Sequence, residues 1–147
     1  MNGRRRRLVI AGAAALAPGF ARATPAAVDE ALRRITGGAA VAKGRVKLEV
    51  PPLIENGNSV VLTASVESPM TEAEHVKAIH VFSPHNPLPQ MISAYFGPRS
   101  GRARFTTRVR VADSQTLLAV AQLSDGSFWS DSVDVVVTLA ACTEEVK

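Results

Sequence analysis

The ten residues Arg102–Val111, RARFTTRVRV, constrain the chain more than any other stretch. Arg102, Arg104, Thr106, Arg108 and Arg110 alternate with Ala103, Phe105, Thr107, Val109 and Val111. A period of two sends successive side chains to opposite faces of a strand, so this segment suits a sheet with one wet and one buried face. A helix would scatter the same arginines around its circumference.

The same period recurs elsewhere. In SVVLTASV, Val60, Leu62, Ala64 and Val66 share a face, with Ser59, Thr63 and Ser65 opposite. In SVDVVVTL, Val133, Val135, Val137 and Leu139 fall together, which makes Leu139 the last inward residue. The runs VKLEV, HVKAIHVF, MISAYF and TLLAVAQL bring the expectation to about seven short strands. Turn residues separate them: Glu55-Asn56-Gly57-Asn58, Ser83-Pro84-His85-Asn86-Pro87, Gly97-Pro98, Ser100-Gly101 and Asp125-Gly126. Such a pattern predicts an all-β, immunoglobulin-like antiparallel sandwich over residues 45–139. Before it, residues 24–44 are expected to form a short helix and a linker. VDEALRRITGG places Val28, Leu32 and Ile35 on one helical face, Asp29 and Glu30 in the first turn, and Gly37-Gly38 at the stop.

Residues 1–23 have the make-up of an export signal: Arg4 to Arg7, an apolar run from Leu8 to Ala17, and small residues at Ala21 and Ala23. The apolar run is too short to span a bilayer, so no membrane association is expected after cleavage. Tandem arginines ahead of it point to the twin-arginine route. Cleavage removes five arginines and no acid, taking the formal charge from +4 to −1 and leaving 124 residues, enough for one domain. The basic balance therefore belongs to the signal. It argues for neither nucleic-acid nor membrane partners.

Export is expected to put the domain in an oxidising compartment, where disulfides form, yet Cys142 is the one cysteine of the chain and an internal disulfide is impossible. Metal binding is not expected. His75, His80 and His85 lack the tight spacing of a ligand set, and His75 and His80 differ in strand parity. A cysteine hydrolase is not expected either, because no histidine is near Cys142 in sequence and a chain terminus preorganises poorly. No phosphate loop, serine elbow or other cofactor motif is visible. The arginines at 102, 104, 108 and 110 suit either the solvent face of a strand, where charge discourages edge pairing, or a docking strip for a partner. Trp129, after the turn in SDGSFW, is expected to cover the sandwich rim. Cys142 has two readings: a small buried hydrophobe at the end of the last strand, or a thiol roughly 10 Å beyond it on a mobile tether.

The segments ENGNSVVLTASVESPMTEAEHVKAIHVFSPHNPLPQ and SGRARFTTRVRVADSQTLLAVAQLSDGSFW, with the single terminal cysteine, closely resemble the SoxY sulfur-carrier proteins of the bacterial thiosulfate-oxidising (Sox) system. The resemblance runs from about Val28 to Cys142. It implies a periplasmic, non-enzymatic carrier that pairs with a second small sandwich, SoxZ. It further implies that Cys142 holds a sulfur intermediate covalently on a swinging arm, residues 140–147, while separate enzymes load, hydrolyse and oxidise the cargo. Thiosulfate-oxidising members end in Gly-Gly-Cys-Gly-Gly, whereas this chain has Ala140, Ala141, Cys142, Thr143, Glu144 and Glu145. That arm is more similar to SoxY-related paralogues reading Ala-Ala-Cys-Ile-Glu. Alanine gives a stiffer, bulkier approach than glycine, and Glu144 and Glu145 disfavour both the thiolate and an anionic cargo. The alternative expectation is a SoxY-like binding module or redox relay with another cargo or none.

Overall fold

The computed structural model describes residues 23–141. Residues 1–22 of the expected signal, and residues 142–147 of the expected arm with Cys142, Thr143, Glu144 and Glu145, lie outside the described residues.

The chain opens with helix α1, Pro25–Thr36. Thr24 caps it, its Oγ1 accepting from the Ala27 N–H, and Pro25 sits in the first turn where its missing N–H costs nothing. The sequence pattern started this helix at Val28; the cap starts it three residues earlier. Asp29 and Glu30 consequently fall beyond the first turn. Gly37, at φ 63°, ends the helix in the left-handed conformation.

Nine strands follow: β1 Val41–Lys43, β2 Val46–Glu49, β3 Leu53–Ile54, β4 Val60–Val66, β5 Val76–Phe82, β6 Gln90–Tyr95, β7 Arg104–Val109, β8 Gln115–Leu123 and β9 Phe128–Val137. They form two sheets, one ordered β1-β9-β8-β5-β6 with β3 also on β9, the other β2-β4-β7. This is the expected immunoglobulin-like sandwich with a short N-terminal helix. The two strands beyond the expected seven are β1, inside the stretch read as linker, and the two-residue β3. Both are short pieces that period counting passes over, and both run parallel to β9 in an otherwise antiparallel fold.

The core lies between the sheets, where Leu62, Ala64, Val76, Ile79, Val81, Leu117, Ala119, Ala121 and Leu123 are almost wholly buried. Val60, Leu62, Ala64 and Val66 all face it, as the alternation requires. Val133, Val135 and Val137 do the same from β9, but Leu139 does not. It is 58% exposed, because β9 ends at Val137 and the chain bends away before Leu139 can continue the inward row. A second cluster on the outer face of the larger sheet seats α1: Val28 and Ala31 pack against Phe82, Val120 and Phe128. Trp129 packs on the main core, with the Arg45 guanidinium 5.7 Å above its ring.

His80, on β5, is 5% exposed. Its Nδ1 lies 2.7 Å from Ser93 Oγ, and the Tyr95 ring meets it edge-on. Burial lowers its pKa from the usual 6.5, because the charged ring loses its hydration. The unfolded chain therefore takes up this proton first as pH falls. Stability should be full above about pH 6.5 and decline below it, levelling off once His80 protonates in the folded state. Chemical denaturation from pH 7.5 to 5 checks this, with His80→Gln removing His80's share of the slope.

Candidate functional site

The end of the sandwich from which the C-terminus leaves is built on β9. Its last residues are tied on several sides: the Val137 N–H donates to Ser114 Oγ at 2.8 Å, and the Val136 N–H to the Pro52 carbonyl at 2.8 Å. The Thr138 N–H donates to Ile54 O at 3.0 Å, and its hydroxyl donates to the Glu55 carbonyl at 3.2 Å. After the bend the chain stays on the body. Gly57 N–H donates to Leu139 O at 2.8 Å, Val111 N–H to Gly57 O at 2.8 Å, and Ala141 N–H reaches Val111 O at 3.4 Å.

Gly57 occupies the centre of this knot. A Cβ there would stand 2.3 Å from the Val111 carbonyl oxygen and 2.9 Å from the Ala141 nitrogen. Only glycine lets the three backbone segments close on one another. Ala140 is exposed, but Ala141 is only 9% exposed. Of the two alanines read as arm, Ala141 is therefore held against the body.

A polar network buttresses the same end. Ser83, fully buried, donates through Oγ to Gln115 Oε1 at 2.5 Å, and the His85 N–H donates to the same oxygen at 3.0 Å. Gln115 Nε2 donates to the Asp113 carbonyl, and Asn86 clasps the 110–112 segment, donating to Arg110 O and accepting from the Ala112 N–H. The turn letters at 83–87 marked a loop. They carried no signal that its side chains fasten the segment holding Val111 and hence the tail root.

The other candidates separate. Arg104 and Arg108 stand on the exposed face of β7, flanked outside the strand by Arg102 and Arg110, all exposed. Arg104 is 3.6 Å from Glu49, and Arg108 donates to Ser59 Oγ at 3.2 Å. Lys47, hydrogen-bonded to Glu49, holds that carboxyl below its usual range, with Arg104 adding to the effect. Register places Arg104 opposite Ser65 and Arg108 opposite Val61, so Arg102 and Arg104 lie towards one end of the sandwich and Arg108 and Arg110 towards the tail end. His75 precedes β5, His80 is within it and His85 is in the loop after it. Among the described residues, no three His, Cys, Asp or Glu side chains are grouped to hold a metal ion. No helix among them is long and apolar enough to cross a membrane.

Two packed sheets, a helix on the larger one and a last strand ending in a fastened root define an immunoglobulin-like sandwich. The family model "Sulfur oxidation protein SoxY" matches residues 32–142, and the chain belongs to the SoxY family. Membership supports a sulfur-carrier role. The SoxY sulfur carrier of Chlorobium limicola f. thiosulfatophilum superposes with a TM-score of 0.67 at 24% identity, over 79% of this chain and 100% of that one. Superoxide reductases share the fold alone: that of Ignicoccus hospitalis has a TM-score of 0.57 at 18% identity, covering 82% of this chain and 98% of its own. That of Nanoarchaeum equitans has 0.54 at 11% identity, covering 65% and 100%. No curated protein matches the chain.

Proposed function

We propose that this protein is a periplasmic sulfur carrier that holds a sulfur intermediate covalently on Cys142 and presents it to separate enzymes, itself catalysing nothing. Residues 1–23 serve as its twin-arginine signal, 24–44 and 45–139 as the helical lead and the sandwich, and 140–147 as the presenting segment. A SoxZ-like sandwich is its partner subunit. The observation that carries the reading is positional: the family match runs to residue 142, the lone cysteine, which directly follows Ala141, a residue hydrogen-bonded to the body. Cys142 is thus one residue in sequence from a fastened base. A carrier needs its reactive atom held near the surface yet beyond the packed core.

Ala140 and Ala141 in place of glycines, and Glu144 and Glu145 after the thiol, favour a sulfur cargo other than thiosulfate. An unperturbed thiol is only a few per cent ionised at pH 7, so a partner's active site must activate it. Intact-mass spectrometry of the protein isolated from cells oxidising reduced sulfur compounds should show a sulfur adduct, lost completely in Cys142→Ser. Wild-type protein with a bare thiol under those conditions would sink the reading.

A further inference from the structure

Among the described residues, three large hydrophobic side chains left exposed lie on β3, β9 and the tail root: Leu53 at 57%, Val136 at 56% and Leu139 at 58%. Leu53 and Val136 are register partners on β3 and β9. They stand together on the outer face of the larger sheet, since Ile54, Val135 and Val137 take the inner one. On β9, Asp134 precedes Val136 on that face, and Glu55 follows β3. Neither carboxylate is in an ion pair among the described residues. Arg108 and Arg110, the cations of the tail end, belong on or beside the opposite sheet. The surface next to the tail root is thus apolar and acidic.

We infer that the enzyme acting on Cys142 seats on Leu53, Val136 and Leu139, with basic residues on the rim of its active-site entrance facing Asp134 and Glu55. This rests on the carrier reading above. The reach of the thiol selects this occupant. Ala141 is fastened, and one further residue carries Sγ only about 7 Å from the Ala141 Cα. A catalytic centre working at that distance must bring its rim onto the residues around the root. Exposed aliphatic side chains are the part of that surface which gains by being covered. The uncompensated carboxylates then select a basic rim and speed encounter with it.

The mature chain can be loaded without any enzyme: the Cys142 thiolate attacks an inner sulfur of tetrathionate, one S–S bond forms as another breaks, and thiosulfate leaves with the electron pair. The rate of adduct removal is then followed by intact mass in soluble extract of the source cells, at carrier concentrations well below saturation. The double variant Leu53→Lys/Val136→Lys should slow removal about tenfold or more while leaving the tetrathionate reaction unchanged. Asp134→Lys should slow it too and flatten its salt dependence. Tyr95→Lys, at a still more exposed position on β6 away from the root, should match wild type. Equal removal rates for all variants would overturn the docking face alone. An extract that removes neither this adduct nor the one a polysulfide leaves on Cys142 of wild type would overturn the carrier reading as well.

Discussion

Gly57→Ala is expected to destabilise the fold by about 1–3 kcal/mol and to loosen the tail root, an effect out of proportion to one methyl group. The added carbon would lie 2.3 Å from a backbone oxygen, a separation that neither partner can hold. The obstacle is main chain, not the end of a flexible side chain, so relief requires moving either the 55–58 turn or the Val111 segment. Each movement breaks a hydrogen bond: Gly57 to Leu139 on one side, Val111 to Gly57 on the other. Urea unfolding reads the stability loss. Amide hydrogen exchange reads the location, with the Gly57, Val111 and Ala141 N–H groups exchanging faster while the β5 and β8 amides shift only by the global change. Wild-type exchange at those three positions would show that the knot closes around a side chain after all.

Phe82→Ala is expected to cost about 3–5 kcal/mol. Phe82 is fully buried at the end of β5, where it faces α1 together with Val28, Ala31, Val120 and Phe128. Removing the ring leaves a void in the smaller of the two clusters, the one that fastens the helix. The helix is 12 residues long, too short to persist without that packing. The loss should therefore appear as reduced helical ellipticity ahead of the main transition, besides a lower midpoint. A single unchanged transition would mean that α1 is held by something other than this cluster. Against a typical domain stability of about 5–15 kcal/mol, the substitution removes a large share.

Much of the sandwich was legible because its strands alternate cleanly. Val60 to Val66 and Arg104 to Val109 have the facing pattern their residues require, since a misplaced register would bury arginine. What escaped the sequence had non-local causes. β1 and β3 owe their existence to β9 as a neighbour, and three and two residues carry too little period to announce themselves. The helix start was missed because a cap overrides the apolar count. Leu139 continued the inward row in sequence and left it in space, because a bend at the strand end ignores parity. At the tail, Asn56-Gly57-Asn58 read as a turn on composition, but the need for glycine comes from two segments more than fifty residues away. The family resemblance placed the cysteine; the fastening of Ala141 to Val111 could be seen only in the fold.

The parallel pairing of β1 and β3 with β9 has a mechanical consequence. On the carrier reading proposed above, a pull on the tail reaches β9 through the bend after Val137 and the hydrogen bonds that hold Leu139 and Ala141. That strand is bonded along one edge to β8 over Phe128–Val135, and along the other to β1 near its start and β3 near its finish. Hydrogen bonds lying across the direction of pull are loaded in shear, so many must yield together and not one after another. A load that reaches β9 is thus spread over the larger sheet and not borne by one strand pair.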